Sequence, residues 1–313
     1  MKKVLSLVLA MSLLLVGLPF TQSAYAATGL SQTDAQQTSI TVSWTAEAND
    51  VAYRVFYGED YSSLQQVGGD LPPTTTSHTI SGLKPGTGYH VKIENDYKLS
   101  SETLYTKSIS GNFKTLPGKV SGVNQQRWYY YIKKMDIGWD KQTGVDEYEY
   151  EVKNNKGKVV SKGTTRWNSA DVSKISNTVV YTVKVRAIST IMGTKHVGEW
   201  SSNAYCFTQP HLGEKGTYAR VSKGQLQVKF PKVNGATGYD VMVSTKPTSG
   251  YKKVKSLSAK KNSVSVAKVG GKKVSGKKTY YVYVVAKKKV GKTTYTSGKL
   301  YYWSTKNSSM GYF

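Results

Sequence analysis

The chain of 313 residues has one cysteine, Cys206, and only four histidines. A single cysteine cannot form an intrachain disulfide, and sites with two or four cysteine ligands for a metal ion are excluded. The histidines, His78, His90, His196 and His211, are scattered and leave little material for metal binding or acid–base catalysis. We therefore predict no metal, no cofactor and no enzymatic activity, and we interpret Cys206 as a buried, inert thiol.

Motifs of catalytic sites are also missing. The chain has no Gly-x-Ser-x-Gly elbow, no glycine-rich phosphate loop and no calcium-loop spacing. Glu147, Glu149 and Glu151 lie close together, but they alternate with Tyr148 and Tyr150. This alternation is typical of the solvent-facing side of a strand and does not indicate a pair of catalytic carboxylates.

Proline is scarce, whereas glycine and tyrosine are abundant. The chain contains 8 prolines, 29 glycines and 24 tyrosines, and hydrophobic residues make up 38% of it. Many aromatic residues together with many glycines suit short strands and turns better than long helices. The hydrophobic content is sufficient for packed cores, so the composition indicates a folded β-protein.

The longest hydrophobic run is at the N-terminus. Lys2 and Lys3 precede an apolar stretch over residues 4–17, and Ala-Tyr-Ala at residues 24–26 is a small-x-small cleavage site. This layout is that of a secretory signal peptide. An uncleaved anchor is the alternative, but the run is shorter than the roughly 20 residues of a spanning helix. We predict a mature protein that is secreted, extracellular or associated with a cell wall, without a transmembrane segment.

Three segments of the chain repeat one pattern. In each, an apolar–polar alternation ends in an aromatic residue, and a tyrosine nine residues later opens a second alternation. Another tyrosine, preceded by an aliphatic residue six positions earlier, opens a third alternation. Residues that alternate with a period of two share one face of a sheet, so we predict that the marked residues form three separate cores. These residues are Trp44, Tyr53, Leu83, Tyr89, Trp139, Tyr148, Ile175, Tyr181, Phe230, Tyr239, Val274 and Tyr280.

A proline–glycine motif precedes the third alternation of the first copy. Residues 79–93 read TISGLKPGTGYHVKI, and the copy closes with FKTLP at residues 113–117. With Trp44 in the second predicted strand, this copy resembles a fibronectin type III domain. The second copy lacks the proline–glycine pair, and the third has Phe230 in place of the tryptophan. The resemblance implies an all-β chain of three tandem fibronectin type III-like, immunoglobulin-like sandwiches, each with seven strands and about 100 residues.

Prolines mark the domain boundaries. Pro117 and Pro210 each follow a predicted last strand, where proline interrupts sheet pairing. They are 93 residues apart, which is the length of one domain. We predict a signal peptide over residues 1–26, domains over 27–116, 117–209 and 210–304, and a frayed tail over 305–313.

Positive charge accumulates towards the C-terminus. Residues 27–116 have a net charge of −3 and residues 117–210 of +6, whereas residues 211–313 contain 22 basic and two acidic residues. Nearly all the basic residues are lysines, which suit diffuse attraction to polyanions. The alternative is a solubility surface without a ligand. The densest clusters, which we predict to bind the ligand, are Lys272, Lys273, Lys277, Lys278, Lys287, Lys288 and Lys289.

A run of aromatic residues offers a second candidate site. Residues 125–131 read QQRWYYY, and alternate rings of such a run should point away from the core. We predict Trp128 and Tyr130 as contacts for a sugar or protein, on which exposed rings can stack. Burial of these rings at a domain junction is the alternative. Trp167 has a similar polar setting, and residues 301–303 (YYW) read as the last strand of the third domain.

These observations together favour a non-catalytic bacterial protein used for adhesion or as a scaffold. We expect the basic third domain to attach to an anionic cell-wall polymer or polysaccharide, with a host or matrix glycan or protein as alternative partners. Two other functions stay open, namely a carbohydrate-binding accessory protein and a spacer without a specific ligand. Export and the lack of a recognition motif argue against nucleic acid.

Overall fold

The computed structural model describes residues 28–99, 103–209, 212, 216–306 and 308–313. The predicted signal peptide and Pro210 lie outside these residues. Apart from one 3-10 turn, Tyr61–Ser63, the regular structure of the described part consists of β-strands, which confirms the predicted all-β fold. In that part of the chain, no helix is long and apolar enough to cross a membrane.

Seven strands build the first sandwich. They are β1 (Thr28–Ala35), β2 (Ser39–Thr45), β3 (Asp50–Gly58), β4 (Gln65–Leu71), β5 (Ser77–Ser81), β6 (Gly88–Lys98) and β7 (Leu104–Lys114). One sheet has the order β1-β2-β5 and the other β4-β3-β6-β7, and the pairing is antiparallel. In β2 the side chains of Ile40, Val42 and Trp44 are buried and alternate with less buried neighbours. The period-2 pattern of the sequence therefore places its apolar side chains between the two sheets.

The second sandwich repeats this arrangement with a divided last strand. Its strands are β8 (Asn124–Tyr129), β9 (Lys134–Gly138), β10 (Glu147–Lys153), β11 (Val159–Thr165), β12 (Ser169–Val172), β13 (Val180–Ile191), β14 (Thr194–Val197) and β15 (Ala204–Phe207). One sheet has the order β12-β9-β8; in the other, β11-β10-β13, both β14 and β15 pair with β13. Met192 and Gly193 have φ angles of 49° and 75°. Two consecutive residues with positive φ are typical of the tight turn that closes a two-residue hairpin.

The third sandwich contains the remaining strands. They are β16 (Tyr218–Ser222), β17 (Gln225–Lys229), β18 (Gly238–Ser244), β19 (Lys252–Ser258), β20 (Ser263–Val266), β21 (Lys268–Val269), β22 (Lys272–Lys273), β23 (Tyr281–Val290), β24 (Thr293–Thr296), β25 (Tyr301–Ser304) and β26 (Ser309–Tyr312). One sheet has the order β16-β17-β20 and the other β19-β18-β23-β25-β26, with β24 also paired to β23. β21 and β22 form a separate hairpin.

The C-terminal residues do not fray as predicted. Ser309–Tyr312 forms β26, which pairs antiparallel with β25 and extends the larger sheet by one strand. The ring of Phe313 packs against the rings of Tyr283 and Tyr302, with centroids 5.1 and 5.5 Å apart. These aromatic contacts and the strand pairing hold a segment that its short, mixed sequence alone did not indicate.

Three apolar clusters form the cores. All twelve core residues named from the sequence are buried, with at most 7% of their surface exposed. The first cluster contains only residues of the first sandwich. The cluster of the third sandwich, however, includes Val180 and Phe207 of the second, while Leu300 and Tyr301 pack against the second cluster. The marked residues thus form three separate cores as predicted, but the third core also takes in side chains of the second sandwich at the junction.

Buried tyrosines bind the backbone at strand starts. Five hydroxyls accept a hydrogen bond from a backbone N–H five or six residues earlier in the chain. The pairs are Tyr89 with Lys84 (2.8 Å), Tyr148 with Gln142 (2.7 Å), Tyr181 with Ser176 (2.8 Å), Tyr239 with Val233 (2.8 Å) and Tyr280 with Ser275 (3.1 Å). In the first sandwich Tyr53 differs, because its hydroxyl donates to the Asp50 carboxylate. These bonds satisfy the polar tip of each buried ring.

A threonine directly follows β7, β15 and β25, the corresponding strands of the three sandwiches, and the sequence did not lead us to predict its role. Its hydroxyl accepts a hydrogen bond from a backbone N–H at the start of a neighbouring strand. The Thr87 N–H donates to Thr115 (3.0 Å), the Val179 N–H to Thr208 (2.8 Å) and the Tyr280 N–H to Thr305 (2.9 Å). The signal was present, since F-K-T, C-F-T and W-S-T end the three copies. Each hydroxyl joins the end of β7, β15 or β25 to the start of the neighbouring strand, which is β6, β13 or β23.

Thr208→Val should lower the free energy of unfolding by about 1–3 kcal/mol, because the Val179 N–H then loses a buried acceptor. Denaturant titration of the full chain measures the change. The matched control is Thr194→Val in β14, where the side chain is exposed, with an expected change within about 0.5 kcal/mol. Equal stability of the two variants would contradict the role assigned to the buried hydroxyl.

Candidate functional site

The most concentrated lysines lie at the end of the third sandwich that faces away from the second. At the near end, the Asn234 carbonyl accepts from the Val180 N–H (2.8 Å), and the Asn234 N–H donates to the Thr178 carbonyl (2.7 Å). Strand β18 starts four residues later and ends at Ser244. A strand of this length spans roughly 20 Å, which places the Ser244 end at the far tip of the sandwich.

A cleft of about 260 Å³ opens at this tip. The last residues of β18 and the first residue of β19 form one side. The β21–β22 hairpin and the segment after it form the other. Four exposed lysines line the cleft, namely Lys252, Lys272, Lys273 and Lys278. None of its described lining residues is an aspartate or glutamate. We call this arrangement the lysine cleft.

Three of the four lysines were predicted from the sequence. Lys272, Lys273 and Lys278 come together as expected, and Lys277 is exposed next to them without lining the cleft. Lys252 was missed because it is 20 residues away from Lys272 in the chain. Only the fold brings the start of β19 against the β21–β22 hairpin.

The hairpin that carries Lys272 and Lys273 concentrates like charges. Gly270 and Gly271 form its turn with φ angles of 57° and 81°, a backbone conformation that residues with a side chain rarely adopt. Across the hairpin Lys268 pairs with Lys273. Like charges directly opposite each other destabilise a strand pair, and a bound anion would relieve this repulsion.

The second predicted cluster, Lys287, Lys288 and Lys289, does not form one continuous basic surface. Lys287 Nζ lies 2.7 Å from Asp240 Oδ1, and Lys253 Nζ lies 3.9 Å from Asp240 Oδ2. Burial opposes ionisation of Asp240, but the hydrogen bonds from Lys287 and Ser256 outweigh it and lower the pKa of this carboxyl. Asp240 is the only acidic residue in the described part of the third sandwich, and it partly neutralises Lys287.

The other two lysines of that cluster lie on β23 and point to different surroundings. Lys288 is half-buried and lines a groove that also contains Glu151 of the second sandwich, and Lys289 is exposed near the end of the strand. The prediction that Lys287, Lys288 and Lys289 form a single ligand-binding cluster is therefore wrong.

The prediction for Trp128 is also wrong. This side chain is only 3% exposed and belongs to the core of the second sandwich. The reason is a register shift in β8 between Gln125 and Arg127, after which Trp128 pairs with Met135 and faces inward. An extra residue in a strand reverses which side chains point to the core.

Tyr130 is half-buried and packs against the same core as Trp128. The Trp128 carbonyl accepts a hydrogen bond from the Tyr301 hydroxyl of the third sandwich (3.0 Å). The aromatic run therefore contributes to the junction between the second and third sandwiches, which was the alternative interpretation of the sequence. Among the aromatic residues that the sequence singled out in the second sandwich, Tyr131 (74%) and Trp167 (76%) are mostly exposed.

Reactive groups are few in the part of the chain that the structure describes. It contains no group of three or more His, Cys, Asp or Glu side chains that could hold a metal ion. Cys206 is fully buried, and burial raises the pKa of its thiol to about 12. A thiol with such a pKa is not ionised at neutral pH and is a poor nucleophile.

Comparisons with known proteins concern the fold. The family model of the fibronectin type III domain matches residues 25–107. The crystal structure of the FN1–FN3 domains of chicken CNTN1 is similar at 14% identity, with 87% of this chain and 97% of that chain covered and a TM-score of 0.37. A two-domain fibronectin type III segment from chicken tenascin is similar at 18% identity, with 58% and 99% covered and a TM-score of 0.32.

A search of curated proteins found no match to the chain. The family match covers the first sandwich up to the start of β7, and the sheets of the second and third sandwiches repeat the two-sheet architecture. The chain is an all-β protein of tandem β-sandwiches, and its N-terminal part matches the model of the fibronectin type III domain.

Proposed function

We propose that the chain is a non-catalytic adhesion or scaffold protein that attaches to an anionic polymer through the lysine cleft. The observation that carries this proposal is the meeting of four exposed lysines in one concave site whose described lining contains no aspartate or glutamate. The one acid described nearby, Asp240, is already bound to Lys287. Among the described residues of this sandwich, the positive field at the tip therefore has no acidic side chain left to balance it.

The chemistry of lysine favours a flexible polyanion. Its ammonium group is a point charge on a long stem, which tolerates many arrangements of phosphate or carboxylate groups. A polymer with periodic negative charges, such as a phosphate-bearing or uronic-acid-bearing cell-wall glycan, matches this property. The signal-peptide pattern of residues 1–26 supports export to a bacterial surface or matrix, where such polymers occur.

Binding of this kind should be governed by salt. A polyanion releases counterions when lysines neutralise its charges, so the binding constant should fall steeply as salt concentration rises. At physiological salt the screening length is about 8 Å, so lysines distant from the polymer contribute little. The first sandwich, with a net charge of −3 over residues 27–116, should add no affinity.

The test compares two triple variants of the full chain. Lys272→Gln/Lys273→Gln/Lys278→Gln removes three charges from the cleft, whereas Lys229→Gln/Lys260→Gln/Lys261→Gln removes three exposed charges near the junction with the second sandwich. Binding to inorganic polyphosphate and to isolated cell walls is measured over a range of salt concentrations. We expect the cleft variant to bind about tenfold or more weakly at physiological salt and to show a flatter salt dependence.

The control variant should keep most of the affinity, because its lysines lie away from the lysine cleft. An equal loss in both variants would show that only the total charge matters, as for a solubility surface. Wall binding that does not respond to salt would contradict an ionic attachment. Failure of the unaltered chain to bind any polyanion would favour a spacer without a specific ligand.

A further inference from the structure

A second cleft lies where the second sandwich meets strand β26 of the third. Its volume is about 440 Å³, which is within the range of sites for small ligands. Residues 129–132 form one wall, and Tyr312 and Phe313 form the other. We call it the aromatic cleft. It exists only because β26 pairs with β25 and carries these two rings to the junction.

Large apolar side chains in the walls of the aromatic cleft are mostly exposed to solvent. Tyr131, Ile132 and Tyr312 expose 74%, 65% and 63% of their surfaces. Tyr131 is held edge-on by Tyr130 with centroids 5.3 Å apart, and Tyr312 is held by Tyr301 at 5.2 Å. Each ring therefore packs against an aromatic neighbour while more than half of its surface stays accessible. Rings fixed in advance lose little conformational freedom when a ligand stacks on them.

Charge and hydrogen-bonding groups narrow the kind of ligand. Arg127 and Lys299 line the same cleft, and its described lining contains no aspartate or glutamate side chain. Tyrosine hydroxyls add polar groups beside the rings. A matching ligand has a flat apolar face, hydroxyl groups and negative charge, and these are the properties of a sugar ring in an anionic glycan.

We propose that the aromatic cleft binds sugar units of an anionic glycan by ring stacking. This inference rests on the proposed function and specifies it: the polymer would be a glycan whose charges contact lysines and whose sugar rings contact tyrosines. An acidic protein is the competing ligand. It would supply the negative charge without the stacking sugar face.

The experiment uses the full chain with Tyr131→Ala/Tyr312→Ala and, as a matched control, Trp167→Ala. Trp167 is 76% exposed and does not line the cleft. The probes are a uronic-acid oligosaccharide, inorganic polyphosphate and polyglutamate. We expect the double variant to lose roughly tenfold in affinity for the oligosaccharide, including at high salt, and to bind polyphosphate unchanged. The Trp167 variant should bind all three probes like the unaltered chain.

The outcomes separate this inference from the proposed function. If the unaltered chain binds polyphosphate but the double variant binds the oligosaccharide normally, the aromatic cleft is not a sugar site and the lysine cleft stands. An equal loss for polyglutamate and oligosaccharide would also overturn the sugar assignment. If the unaltered chain binds none of the probes, the proposed function fails as well. Thermal melting of each variant checks that the fold is intact, which substitution of exposed side chains should leave nearly unchanged.

Discussion

Replacing Trp139 by alanine is expected to lower the free energy of unfolding of the second sandwich by about 3–5 kcal/mol. The indole is 3% exposed and packs against Tyr148, with ring centroids 5.4 Å apart. Its removal leaves a cavity between the two sheets. Because Val180 and Phe207 of the second sandwich belong to the third core, we expect the third sandwich to lose stability in the same transition.

Trp44→Ala is the matched change in the first sandwich, where the tryptophan is 4% exposed. Its core contains no residue of the other sandwiches, so its loss should leave the second and third unaffected. Hydrogen exchange of backbone amides under mild denaturant follows the three sandwiches separately. Protection in the third sandwich that is unchanged by Trp139→Ala would contradict this coupling through Val180 and Phe207.

Asp50→Ala should destabilise the first sandwich by about 3 kcal/mol, because the Asp50 carboxylate is buried and accepts three hydrogen bonds. Asp50 accepts hydrogen bonds from the Tyr53 hydroxyl, from Asn95 Nδ2 (2.8 Å) and from the Glu47 N–H (2.8 Å). Burial, together with the hydrogen bond to the Asp50 carboxylate, raises the pKa of Tyr53, which therefore remains a donor. Removing the carboxylate takes this acceptor from a fully buried hydroxyl.

The matched control for Asp50 is Asp70→Ala, at an exposed position of β4 in the same sandwich. Chemical denaturation should show a change within about 0.5 kcal/mol for this variant. A similar small change for Asp50→Ala would mean that the buried network contributes nothing and that Tyr53 finds another acceptor at no cost.

Much of the fold follows from local patterns in the sequence. The apolar alternation identified Trp44, Trp139 and Phe230 as core residues, and all three are buried. The tyrosines nine residues later, Tyr53, Tyr148 and Tyr239, fill the same cores. These patterns are readable because burial on one face of a strand requires a period of two.

The features that were missed depend on single-residue shifts or on distant contacts. One extra residue in β8 turned Trp128 inward, although the surrounding run of aromatics looks uniform in the sequence. The pairing of β26 needs β25 as its partner, and the aromatic cleft needs both the junction and β26.

The candidate lysine site was predicted in part for a similar reason. Lys272, Lys273 and Lys278 are close in the chain, so their clustering is visible without a fold. The pairing of Lys287 with Asp240, which lies 47 residues earlier, is a cross-strand contact between β18 and β23. Charge density along a sequence therefore locates a basic module but does not show which of its lysines are already neutralised.

Hydrogen exchange of the full chain with and without inorganic polyphosphate tests the central claim most directly, because it shows where a polyanion binds. If the polyanion binds in the lysine cleft, the amides that border the cleft, over residues 244–252 and 268–278, should exchange more slowly, and this protection should disappear at high salt. The amides of the first sandwich should exchange at unchanged rates. Protection that appears mainly in the first sandwich, or protection at the cleft that persists at high salt, would contradict attachment through the lysine cleft.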